Sequence, residues 1–197
     1  MNLFLQRNIK QIKKGGIIIF AKKCFKLIFL ARLIPSYSLG IFLVILVRLI
    51  RPIILIRFRG INSLRIGHFA AETEQYLCER DANINKPKER FFDIFYLAQR
   101  PICNKYLFKI WRRIICIWPT FLVEPVHRIN SLLPGSDIHE IGNNTSGDRD
   151  VHNLLDKLPA HIKFTNKEKY IGKKFLESIG IKEGQKYVCL NVRDSSY

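Results

Sequence analysis

The stretch Ile53-Ile54-Leu55-Ile56-Arg57-Phe58, closed by Gly60 and continued by Ile61-Asn62-Ser63-Leu64-Arg65-Ile66-Gly67-His68, decides the fold class. A short β-branched apolar run between Pro52 and a glycine reads as a strand buried on both faces, as in a parallel sheet. The loop over 60–67 then opens a helix over His68 to Arg80, with Ala71, Tyr76 and Leu77 inward. Working towards the C-terminus, Asp93 to Ala98 reads as a second strand and Tyr106 to Ile117 as a helix. That helix has an apolar face (Leu107, Ile110, Trp111, Ile114) and a basic one (Lys105, Lys109, Arg112, Arg113). Phe121 to Val123 reads as a short strand, and Val126 to Leu133 as a helical piece stopped by Pro134-Gly135. Strands alternating with helices make the class α/β, with a parallel sheet and right-handed crossovers.

On the N-terminal side of the strand the physics changes. The 197-residue chain carries 33 Lys+Arg against 16 Asp+Glu, a formal charge of +17. Residues 1–65 hold 13 of those cations and no acid, the first carboxylate being Glu72. Ile17 to Leu33 is apolar with Lys22, Lys23 and Lys26 on one arc, the pattern of a basic amphipathic helix that lies in a bilayer interface or else docks as a surface helix on the protein's own core. Leu33 to Val47 has no charge. As a helix it covers about 22 Å, short of the roughly 30 Å hydrocarbon core. A monotopic anchor is therefore preferred over a tilted single span. Residues 1–51 are expected to be basic, hydrophobic membrane-associating helices whose partner is an anionic membrane surface, the body lying on the cytoplasmic face. No small-residue cleavage site follows a compact apolar core, so this is not read as a signal peptide.

Several classes are set aside on composition. With 48% apolar residues the chain can bury a core, which excludes wholesale disorder. Cys24, Cys78, Cys103, Cys116 and Cys189 are dispersed, with no CxxC, so neither a disulfide scaffold nor a zinc module is expected, and no metal site. The cationic segment alternates its charges with Ile, Leu and Phe and has no helix-turn-helix spacing, RNP motif or zinc finger, so no nucleic-acid partner is expected.

Beyond the body, Leu158 to Thr165 reads as an extended linker, and Thr165 or Asn166 caps a helix over Lys167 to Ile179 that Gly180 stops. A turn over 182–186 leads into a strand, Tyr187 to Val192, which ends in Arg193-Asp194. The organisation expected is thus a membrane segment 1–51, an α/β domain 52–160, and a linker with the truncated start of a second domain over 161–197. Gly142 to Asp150, GNNTSGDRD, is an exposed polar loop with sequons at Asn143 and Asn144 that would matter only in a secretory lumen.

Two constellations carry chemistry. Ser63-x-Arg65-Ile66-Gly67-His68 follows the first strand and opens a helix, where Gly67 permits close backbone approach and the helix N-terminus favours an anion. His68 is a candidate base, or else it caps and packs; Glu72, four residues on, is placed to orient its imidazole. Arg193 and Asp194 stand at the carboxyl end of the last strand, where an α/β site begins and a guanidinium suits a phosphate or carboxylate. An interdomain ion pair explains them equally well. His127, near Glu124 and Arg128, reads as ordinary helix surface, and no GxSxG elbow supports a nucleophilic serine.

Ile56-Arg57-Phe58, Arg65-Ile66-Gly67-His68-Phe69-Ala70, Thr73-Glu74 and Tyr76-Leu77-Cys78-Glu79-Arg80-Asp81 resemble the N-terminal signature of a group of glycosyltransferases of surface-polysaccharide biosynthesis. Gly184 and Tyr187 to Tyr197 resemble the opening of that group's C-terminal domain, so the likeness runs from about residue 52 to 197. The resemblance implies a Rossmann-like domain, the N-terminal half of a two-domain GT-B fold. It also implies transfer of a sugar from a nucleotide-sugar donor to a lipid-linked or polysaccharide acceptor, with no cofactor and no metal. On that likeness His68 is the base, Arg193 contacts the donor phosphates, and Arg65 assists with acceptor or phosphate. The donor domain of the family continues beyond Tyr197, which makes a catalytically inactive truncated remnant the first alternative and a basic nucleic-acid-binding module the second.

Overall fold

A computed structural model describes residues 18, 19, 21, 35–142 and 150–188. Contacts divide the chain into two units, one ending at Pro159 and one starting at Ala160. The first is a mixed α/β domain. Its elements are helix α1 (residues 35–50), strand β1 (Leu55–Ile61), helix α2 (Ile66–Asp81), strand β2 (Phe91–Leu97), helices α3 (Lys105–Ile114) and α4 (Thr120–Ser131), a 3-10 turn (Asp137–His139) and the short helix α5 (Leu154–Lys157).

β1 and β2 pair in parallel, with Leu55 opposite Phe91 and Ile61 opposite Leu97. One-residue parallel bridges extend the sheet on both sides, Phe95 with Ile117 beyond β2 and Phe58 with Glu140 beyond β1. In chain order the four segments therefore lie side by side as 3-2-1-4. The order reverses between β1 and the segment at Glu140.

Alternation along β1 distributes the two faces. Ile56 and Phe58 pack with Tyr96, Val44 of α1, and Val123 and Val126 of α4. On the opposite face Arg57 is 5% exposed and pairs with Asp93, its neighbour in register. Nε and Nη2 of Arg57 each donate to Asp93 at 2.7 Å, Nη1 donates to the Asn85 carbonyl at 3.1 Å, and the Tyr76 hydroxyl donates to Asp93 at 2.6 Å. Burial, reinforced by that carboxylate, pushes the Tyr76 phenol above its ordinary range. Trp111 of α3, fully buried, donates its indole N–H to the Phe69 carbonyl of α2 at 3.0 Å. So α2 and α3 share one side of the sheet, and α1 and α4 the other.

The structure corrects two of the expected elements. The helix α3 ends at Ile114, and the following β-branched residues run extended before Pro119, where Cys116 accepts from Phe95 N at 2.8 Å. Phe121 to Val123 is helical, not a strand: it belongs to α4, whose inward positions Val123, Val126 and Asn130 keep the helical spacing. Residues 35–50, read as part of the membrane segment, form a helix whose inner side shares the domain core through Val44.

In the second unit, helix α6 (Asn166–Ser178) starts in a capping box. Glu168 N donates to Thr165 Oγ1 (3.3 Å) and Thr165 N donates to Glu168 Oε2 (2.8 Å). It ends at Gly180, whose φ of +88° is the left-handed conformation expected of a glycine stop. None of its residues is buried. Of the last expected strand, Tyr187 and Val188 are irregular and Cys189 onward lies outside the described residues.

Candidate active site

The chain leaves the carboxyl end of β1 through Asn62-Ser63-Leu64-Arg65 and enters α2. Ser63 is fully buried and donates its hydroxyl to the Gln99 carbonyl at 2.5 Å, while its own carbonyl accepts from Cys103 N at 2.9 Å. Asn62 Oδ1 accepts from Leu64 N at 3.3 Å, a local turn of the kind asparagine favours. These bonds tie the loop after β1 to the loop after β2, so the first turn of α2 is presented from a fixed frame. Ser63 thus serves the frame.

Arg65 is the extended residue before α2 (φ −116°, ψ 128°) and makes no side-chain cap. Arg65, Ile66 and Gly67 are exposed, and the first turn holds no acid, so the positive end of the helix is not neutralised by its own side chains. Gly67 has no positive φ, and a Cβ built there meets nothing within 4 Å. Neither conformation nor internal packing demands a glycine at that position.

One turn into the helix, His68 Nδ1 lies 2.7 Å from Glu72 Oε1. The carboxylate accepts, which puts the proton on Nδ1 and, in the neutral ring, the lone pair on Nε2. The His68 side chain is 31% exposed and that of Glu72 19%. Glu72 also lines a shallow, open cleft with Arg59, Ile61, Thr73, Tyr76 and Phe95, between the end of β1 and the second turn of α2. Arg59 is half-buried, and its Nη1 stands 3.0 Å from where a Cβ of Gly142 would be, at the end of the fourth sheet segment. Among the described residues no carboxylate pairs with Arg59. This guanidinium therefore lies where the strand order reverses, the usual position of a ligand crevice in open α/β sheets.

Sequence reasoning missed Arg59. Its signal was present, since Arg57 and Arg59 share a face of one strand and only Arg57 finds a carboxylate partner in register. Reasoning also missed the use made of His127. Tyr96 donates its hydroxyl to His127 Nδ1 (3.0 Å), and Nε2 donates to Glu140 Oε1 (2.6 Å). Both ring nitrogens are occupied, and the ring stacks on Phe58 at 5.9 Å. His127 accordingly ties β2 and α4 to the fourth segment and has no nitrogen left for a substrate. Gly60 makes the span possible: a Cβ there would stand 3.2 Å from the Tyr96 hydroxyl and 2.9 Å from Ala98 Cβ. Burial pushes the Tyr96 phenol up to about 12, so it remains a donor.

Of the residues singled out from sequence, Arg65, Gly67 and His68 come together at the start of α2. Arg193 and Asp194 lie outside the described residues. Chemically the start of α2 offers an imidazole oriented by a carboxylate, an exposed guanidinium and an unneutralised helix N-terminus, and Arg59 lies in the adjoining cleft that Glu72 lines. Comparison with protein-family models, with curated proteins and with solved structures finds no match.

Proposed function

We propose that the first unit is the acceptor-side, Rossmann-like half of a GT-B-type glycosyltransferase acting at the cytoplasmic face of a membrane. The observation that carries this reading is the His68–Glu72 pair, 2.7 Å apart, at the carboxyl end of the first strand of a parallel 3-2-1-4 segment order. A parallel order that reverses beside β1 is compatible with part of a doubly wound sheet, in which a ligand crevice lies at the reversal. The resemblance of residues 52–197 to surface-polysaccharide glycosyltransferases supports the same assignment.

In the reaction, His68 Nε2 takes the proton of an acceptor hydroxyl as its oxygen attacks the anomeric carbon of the donor sugar. The bond from that carbon to the nucleoside diphosphate breaks, and the diphosphate leaves with the electron pair. Glu72 fixes the tautomer and offsets the charge that develops on the ring. Arg65, Arg59 and the α2 N-terminus serve the phosphate of a lipid-linked acceptor, and the family resemblance assigns Arg193 and Asp194 to the donor. The family resemblance implies no essential metal.

The test is transfer by the full chain on vesicles bearing a polyprenyl-phosphate-linked glycan, with a panel of nucleotide-sugars and release of nucleoside diphosphate as the readout. His68→Ala is expected to lower the rate by about a hundredfold or more, the usual range for losing a general base. Normal transfer by that variant removes His68 from the mechanism. The absence of transfer with any donor removes catalysis by this chain.

A further inference from the structure

Helix α1 has two sides of opposite character. Val44 is 2% exposed and sits in the core with Phe58 and Val126, and Gly40 abuts α4 so closely that a Cβ would lie 3.0 Å from Ile129 and 3.1 Å from Pro125. Arg48 reaches across to α4, donating from Nε to Asn130 Oδ1 (2.9 Å) and from Nη1 to the Pro134 carbonyl (3.0 Å). On the other side Leu39, Ile41, Phe42, Ile45, Leu46 and Leu49 are all between 44% and 70% exposed. At about 100° per residue these six span an arc of roughly 160°, shared with Ser38 and with no charged residue. Ile53, 72% exposed, and the exposed Arg51 stand just past the helix end.

We infer that this outer side of α1 docks onto an anionic bilayer surface, with the helix axis in the membrane plane. The inference rests on the membrane reading above and specifies which face makes the contact and in what orientation. Three observations select lipid as the occupant. The face belongs to a segment, residues 1–51, with ten Lys+Arg and no Asp or Glu, and Arg51 is exposed at the helix end, so its charge complements anionic headgroups. The same charge opposes a second copy of this chain, because two apposed α1 faces would bring two such cationic segments together. The inner side is committed to the protein core, which forbids a spanning orientation. Among the described residues no helix is long and apolar enough to cross a membrane. An in-plane helix sinks its apolar arc to the headgroup–acyl boundary, while cations at its ends stay with the phosphates.

The test is flotation of the full chain with vesicles of phosphatidylglycerol and phosphatidylcholine in equal parts, at low salt and at about 1 M, where the Debye length falls to about 3 Å. The wild-type chain is expected to stay bound at high salt, since apolar insertion is not screened. The double variant Phe42→Glu/Leu49→Glu is expected to lose at least tenfold in vesicle affinity while keeping its circular dichroism and melting temperature, both side chains being well exposed. A second pair, Tyr170→Glu/Phe175→Glu on the exposed side of α6, is expected to bind as wild type. Wild type that never floats defeats the membrane reading as a whole. Wild type that floats while the α1 variant floats equally well, or only the α6 variant fails, overturns this inference and leaves the membrane reading standing. Loss of self-association by the α1 variant in sedimentation, with vesicle affinity unchanged, assigns the face to a second copy and overturns the inference too.

Discussion

The two faces of the central sheet are built from alternate residues of the same strand yet stabilised by different physics. Towards α2, β1 presents Arg57 and Arg59, and the covering contact is a bidentate ion pair with Asp93, 6% and 7% exposed, sealed by Tyr76. Towards α1 and α4 it presents Ile56 and Phe58, joined there by the buried Tyr96 and His139 and by the half-buried His127, which bridges the Tyr96 hydroxyl and the Glu140 carboxylate. The first face fixes register through charge, because a one-residue slip would separate Arg57 from Asp93. The second depends on close packing, which is what allows a helix with an exposed apolar arc to be held firmly on its inner side.

The sharpest way to break this contrast is to leave a charge alone on the α2 face. Asp93→Ala strands the Arg57 guanidinium in a site that is 5% exposed, and the expected loss is about 3–5 kcal/mol, enough to threaten folding. Arg57→Met/Asp93→Leu removes both charges and fills the volume, and it is expected to recover most of that loss. Urea unfolding of the three chains measures both values. If Asp93→Ala costs less than about 1 kcal/mol, the pair is decorative and register is set elsewhere.

The opposite face is sharpened by acid. His139 is 1% exposed and donates Nδ1–H to the Ile56 carbonyl at 2.6 Å, and burial holds its pKa below the ordinary 6.5. The unfolded chain therefore takes up this proton first as pH falls. The stability His139 contributes is complete above pH 6.5 and is lost progressively below it, by up to about 1.4 kcal/mol per pH unit until the folded pKa is reached. Unfolding free energies between pH 7 and 5 are expected to fall along this slope, and His139→Gln, which keeps a donor but does not titrate, is expected to flatten it. An unchanged slope in that variant would assign the acid sensitivity to other groups.

What could be read from sequence follows how local each signal is. The β1–α2–β2 unit was legible because an apolar run closed by Gly60 and a helix with inward Tyr76 and Leu77 are patterns within one element. The His68–Glu72 pair was legible for the same reason, being one helical turn apart. Ile115 to Ile117 was not, since a β-branched run after an amphipathic helix continues its apolar pattern, and only the pairing of Phe95 with the backbone at 116–118 makes it extended. The fourth segment was hidden by its polarity, as Glu140 joins the sheet through a single bridge. The Tyr96–His127–Glu140 chain joins residues 31 and 13 positions apart, and nothing local marks His127 as more than helix surface. Arg59 was legible in principle, as an arginine on the same strand face as Arg57 with no acid opposite it.

The smallest expected effect separates structure from function at Gly67. Glycine in a helix costs about 0.5–1 kcal/mol relative to alanine, and here a Cβ has open space and the backbone needs no positive φ. For folding alone, Gly67→Ala is expected to stabilise the chain by a few tenths to 1 kcal/mol, raising the urea midpoint without altering the slope. If a phosphate or sugar approaches the first turn of α2 closely, the added methyl occupies the space it needs, and transfer or acceptor binding is expected to fall while stability rises. Opposite signs for the two measurements would locate a ligand at the α2 N-terminus. A variant that is both more stable and fully active would mean that nothing approaches Gly67, and the site would then have to be drawn around Arg59 and the cleft instead.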